Sequence, residues 1–403
     1  MTTTLTLRNR RQVVIPVRLD RAVVGAPILD APDLDDRGSS MPRPSGFNST
    51  DARGAMFGIA EGDTVRVKIV REDIAASAPL FATVSAAADP QVEIIDPLNG
   101  APIAASGEIR IRAMASTASG QKLEIRFGSP TGPILCEAEP HVFPLLTLNV
   151  TPHLCTIHQA AALPGAGVVP TLGPATWLTD VFDIVAAVWR AAGVRLNVGA
   201  IQNEVYFGFT RDDFARTDPA AGPGSEARMV RQNQVANTCN VYFIRFMDSS
   251  LGVGVNRDSM VSEGWSVPGV IIGVEGDITG GVVNRRGSAG AALIQEVGND
   301  VAHEIGHFLT LQHVRNQNAG NAARDSFGRR QLMHPINLLP AAVAPVVNSA
   351  ANAGPRFDDC GYGLGGGRRG HRGCLLTLKN FSTHSTDGEV ARARARFRSP
   401  RLF

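Results

Sequence analysis

The densest chemistry in this chain of 403 residues lies in "HEIGHFLTLQH", residues 303–313. Three of its nine histidines, His303, His307 and His313, fall there beside Glu304. His303 and His307 are four apart, so on an α-helix they share one face, one turn above the other. Two imidazole nitrogens so placed reach one Zn²⁺ at about 2.0–2.1 Å. Glu304, rotated by about 100° from His303, stays off the metal and can reach a metal-bound water, as a general base must. His313 lies too far round for the same face. It becomes a third ligand if the helix ends near Phe308–Thr310 and the chain turns back. Three neutral ligands leave a fourth position open, which marks a catalytic rather than a structural site. The competing reading is an amphipathic helix with surface histidines. It requires a scarce residue to recur at ligand spacing beside a glutamate.

This stretch, with "RRQLMHP" at 329–335, resembles the metzincin clan of zinc metalloendopeptidases, which carry HExxHxxGxxH and a downstream methionine turn. The resemblance implies that His303, His307 and His313 are the zinc ligands and Glu304 the general base. It also implies that Met333 forms the apolar floor beneath the imidazoles. The likeness is strong over 297–335 and loose over the rest of 176–403. Two positions depart from the pattern. Thr310 stands where the clan has a glycine at positive φ, a conformation a β-branched residue dislikes. Either the turn has another geometry or the helix runs further. Pro335 stands where astacin-like and serralysin-like members carry a tyrosine ligand, which disfavours those subfamilies. His334 is expected to be structural or exposed.

The elements that must position this site read as α+β. Residues 1–60 are a partly irregular N-terminal extension. Across 61–158, seven short alternating segments from "TVRVKIVRE" to "FPLLTLNVT" read as an antiparallel, immunoglobulin-like sandwich. Residues 159–175 have linker composition. From 176 to 403 the expectation is a metallopeptidase domain with a twisted mixed sheet, an active-site helix and an irregular lower half. Phe182, Val185, Val188 and Trp189 recur at helical spacing, and Gly193 stands where that helix should stop. "CNVYFIRFM" reads as a buried strand. "WSVPGVIIGVE" reads as the edge strand against which a peptide would lie, since Pro268 suits an edge. "STDGEVARARARF" reads as a closing helix with Thr386 and Glu389 as a capping box and its arginines on a solvated face.

Net charge is +2, which gives no argument for nucleic acid, and no apolar run is long enough to span a membrane. The N-terminus shows no signal-peptide pattern. Export by another route is the expectation, ahead of cytoplasmic residence. Cys360 and Cys374 flank a glycine-rich loop. A bridge there would add about 3 kcal/mol in an oxidising compartment; two free thiols are the other reading. Cys155, between His153 and His158, reads as a strand-end cysteine, because the matrixin switch sequence that blocks zinc is absent. Calcium has no readable motif here. The functional expectation is a zinc endopeptidase acting on a protein or peptide. The alternative is a binding or adhesion protein that works through its sandwich and carries an inert or substrate-restricted metal domain.

Overall fold

The computed structural model describes residues 5–8, 12–17, 55–71, 74–116, 121–158, 176–207, 225–248, 251–260, 265–279, 282–285, 290–311 and 389–397. His313, Met333, His334, Cys360, Cys374 and Thr386 lie outside them. The strands of the N-terminal half are β1 (Gln12–Val17), β2 (Ala55–Ala60), β3 (Thr64–Arg71), β4 (Leu80–Val84), β5 (Val92–Asp96), β6 (Glu108–Ala113), β7 (Leu123–Phe127) and β8 (Ile134–Phe143). They form two four-stranded sheets, ordered β1-β3-β6-β5 and β2-β8-β7-β4. Period-two alternation puts Val65, Val67, Ile69, Ile109 and Ile111 of one sheet into one apolar core with Leu80, Leu123 and Ile125 of the other. Each such side chain contributes about 1.5–3 kcal/mol on burial.

Two expectations about this half are corrected. Residues 1–60 supply β1 and β2 to this half. Both of these pair in parallel, β1 with β3 and β2 with β8, so the sandwich is not purely antiparallel. In addition, "LTLNVT" does not close the sandwich. It begins β9 (Leu146–His158), which pairs in parallel with β10 (Val194–Val198), β11 (Gln202–Phe207) and β12 (Cys239–Asp248). Alternation shows that a segment is a strand; it does not show which sheet the strand joins.

The second sheet has seven strands, ordered β10-β9-β12-β14-β13, with β11 on β9 and β15 on β14. Here β13 is Gly252–Val255, β14 is Gly269–Thr279 and β15 is Val282–Arg285. Parallel neighbours need a crossover. Helix α1 (Thr176–Ala191) supplies it between β9 and β10 and buries Phe182, Val185, Val188 and Trp189 as their spacing predicts. Gly193 ends that region at φ 71°, where a Cβ would meet the Phe143 Cβ at 2.5 Å. The core between α1 and the sheet also takes Val297, Val301, Ile305 and Phe308 of α3 (Gly290–Phe308). Across the sheet, α2 (Ser225–Gln232) covers Tyr206, Tyr242 and Trp265. On that side a buried His153 contacts Glu204 through Nδ1 at 2.5 Å and Asn240 Oδ1 through Nε2 at 2.8 Å, and stacks on Tyr242. Burial works to raise the Glu204 carboxyl, but hydrogen bonds from His153, Tyr206 and Asn233 outweigh it and hold it below its usual range. Cys155 is buried there too and its thiol is pushed well up, first by burial and then by Glu204, so it is not poised to ligate a metal.

The segment "WSVPGVIIGVE" is not the edge. It becomes β14, held between β12 and β13. Pro268 precedes the strand, so its missing N–H leaves no gap in the ladder. The antiparallel neighbour on the outer side is β13, whose "GVGV" is too short and too rich in glycine to read as a strand. The closing helix forms as α4 (Glu389–Arg396), but not all its arginines are solvated. Arg394 donates to the carbonyls of Ala192 and Pro144 at 2.8 Å each and lies over the Phe143 ring. Arg396 is buried and meets Asp258 at 2.8 Å. These arginines join parts of the fold that are distant in sequence. Among the described residues no helix is long and apolar enough to cross a membrane.

Candidate metal centre

Helix α3 carries the site. Its apolar face is buried against α1 and the sheet, with Gly298 allowing close approach: a Cβ there would lie 2.8 Å from the Ile184 side chain. The opposite face holds His303 and His307, both partly exposed. Their ring centroids are 4.9 Å apart and the rings lie at 83° to each other. One ligand atom from each of His303, Glu304 and His307 falls within 4.8 Å of the other two. Three of the sequence-predicted site residues therefore converge on one point as a candidate metal-binding group.

The end of α3 orients His307. The Thr310 N–H bonds the His307 carbonyl at 2.9 Å, and the Leu311 N–H bonds the Gly306 carbonyl at 2.8 Å. These two bonds, with a residue at positive φ between them, define a Schellman turn. That residue is Thr310, at φ 69°. The backbone thus adopts the conformation for which the motif's glycine is suited, and the helix stops at Phe308 instead of running on. The same turn swings the Leu311 carbonyl to His307 Nδ1 at 2.8 Å. A carbonyl only accepts, so Nδ1 is the donor in this contact, the tautomer in which a neutral imidazole presents Nε2 as its acceptor. This tautomer is what a zinc ligand needs. A β-branched residue in the left-handed region costs about 1–2 kcal/mol. Thr310→Gly is therefore expected to raise stability by about 1 kcal/mol, less what glycine gives back through the unfolded chain, read as a higher denaturant midpoint at unchanged slope.

Glu304 is buried, and β13 covers it. A Cβ on Gly252 would lie 2.8 Å from Glu304 Oε1, and one on Gly254 would lie 2.1 Å from the Glu304 carbonyl oxygen. Glycine at both positions lets strand backbone rest on the helix. Burial, helped by the Asp300 carboxylate one turn earlier, pushes the Glu304 carboxyl well above its ordinary range; the Gly254 N–H bonded to it pulls the other way. The sequence reading found the helix residues and missed Gly252, Gly254 and Asn256. The alternating glycines of "GVGVN" are a signal of close backbone approach, but they identify neither a strand nor the partner. No family model matches this chain, and no curated protein matches it.

Proposed function

We propose that the chain is a zinc-dependent endopeptidase of the metzincin type. The observation that carries this reading is the pair of helical imidazoles, one with its tautomer set by Leu311, beside a buried carboxylate held under a strand. His303 and His307 would hold the ion, with His313 as the third ligand that the resemblance implies. A bound zinc ion supplies a Lewis acid that acidifies water and polarises a carbonyl. The chain's own residues do the rest. Glu304 accepts the proton of the attacking water and returns it to the leaving amine. The wall formed by β13 limits water around that carboxylate. The resemblance implies a protein or peptide as the substrate class, bound as an extended strand beside the sheet.

The test is metal analysis joined to cleavage of a mixed pool of unfolded peptides. Cleavage that a chelator abolishes and added zinc restores is expected. The double change His303→Ala and His307→Ala is expected to weaken zinc binding at least about 100-fold, because it removes two of three ligands. A parent with no affinity for zinc sinks the proposal. Zinc bound tightly with no peptide in the pool cleaved favours a binding or adhesion role for the sandwich.

A further inference from the structure

We propose that Asn256 is a positioning residue for this metal centre, fixing His307 by tying the end of the edge strand to the last turn of α3. The inference rests on the metal reading above and adds a side chain that is neither ligand nor base.

Asn256 directly follows β13. Its Nδ2 donates to the main-chain oxygen of His307 at 2.9 Å. Its Oδ1 accepts the N–H groups of Asp258 and Ser259 at 2.9 and 3.0 Å. Both ends of the amide are thus committed. Turning it over would set an NH₂ against two N–H donors and an oxygen against a carbonyl, so the orientation follows from the partners. His307 is held from two sides as a result. Asn256 grips its carbonyl, and Leu311 grips its ring at Nδ1. The carbonyl that Asn256 takes is the one that also receives the Thr310 N–H of the closing turn. A shift of that peptide would move the whole ring, Nε2 included.

The grip is itself braced. Asp258, two residues on, meets Arg396 Nη1 of α4 at 2.8 Å, and Arg396 is 8% exposed. At the other end of the same short segment, Gly252 and Gly254 rest against Glu304. One strand and its following turn therefore contact the proposed base and the second ligand, and Asn256 couples their positions. Outer-shell partners of this kind are worth about 10–100-fold in metal affinity.

The test compares the full chain with Asn256→Ser. The serine oxygen keeps a cap for the turn but falls short of the His307 carbonyl, and no charge is added. The zinc dissociation constant is measured by competition with a chromophoric chelator, well below the unfolding transition, alongside the visible spectrum of the cobalt-loaded protein. Zinc binding weakened about tenfold or more, with a changed cobalt spectrum, is the expected result. A purely structural role would lower the unfolding midpoint and leave affinity and spectrum alone; affinity within twofold of the parent overturns the proposal. Should the serine variant not fold, Asn256→Asp, which keeps the shape and the acceptor but lacks the donor, decides by the same criterion. A parent that binds no zinc sinks the metal reading and this proposal with it, whereas a parent that binds and a variant that matches it sinks this proposal alone.

Discussion

Glu304→Gln is expected to keep zinc and lose peptide cleavage by a factor of about 10²–10⁴, the range over which a positioned general acid–base acts. The substitution preserves shape and removes the ability to take a proton. Its position supports a base rather than a ligand: it lies buried under β13 while His303 and His307 remain partly exposed on the outer face of α3. The metal content of the variant separates the two roles. Zinc affinity unchanged within about threefold, with cleavage gone, fits the base. Zinc lost together with cleavage would make Glu304 a ligand, a role its distance from both imidazoles permits. A second consequence concerns the metal-free protein. Burial raises the Glu304 carboxyl above its unfolded value, so the folded state binds the extra proton. The stability this group contributes is full below the unfolded value, near pH 4.3, and is lost as pH rises through the folded value. At pH 7 the metal-free glutamine variant should therefore unfold at higher denaturant than the parent, and the gap should close as pH falls towards 4. A gap that stays constant with pH would mean that Glu304 is not buried as a carboxylate.

The parts of this site that were legible in sequence are those set by local geometry. Helical periodicity alone brings His303, Glu304 and His307 together, because 3.6 residues per turn leave little choice. The stop at Gly193 was legible for the same reason: the left-handed φ that ends the region is a local demand that glycine meets. Thr310 marks the boundary of this kind of reading. Its side chain argues against a left-handed turn, yet paired hydrogen bonds to His307 and Gly306, together with the burial of Leu309 and Leu311, outweigh the local cost. What was not legible depends on partners distant in sequence. Nothing in "GVGVN" announces that its glycines lie against Glu304 and that its asparagine holds His307. Nothing in "ARARAR" announces that one arginine caps the turn after α1 while another reaches Asp258. Charged runs default to a solvated reading because a partner cannot be seen in one dimension.

The largest structural effect is expected from where the chain is cut around β9. A chain beginning at residue 159 would lack this strand, which lies in the sheet between β12 on one side and β10 and β11 on the other. Its loss strips the sheet of the pairings along Leu146–His158 and opens the core at Leu148, Val150 and Leu154. Three leucine- or valine-sized removals at about 2–5 kcal/mol for each leucine and less for valine already reach the whole stability of a typical domain. Such a chain should show no cooperative unfolding transition and no zinc binding, a result that would exclude the N-terminal half as a removable pro-region ending at 158. A nick in the intact protein gives the sharper contrast. With a protease site placed within 159–175, cleavage should yield two fragments that co-elute and bind zinc as the uncut chain does. β9 holds one fragment to the other, and the contacts made by Arg8 with Asp183, by Asp63 with Arg195 and by Arg394 with the Pro144 carbonyl reinforce the join. Fragments that separate under native conditions, with the C-terminal one still folded and binding zinc, would show that the seven-stranded sheet does not depend on β9.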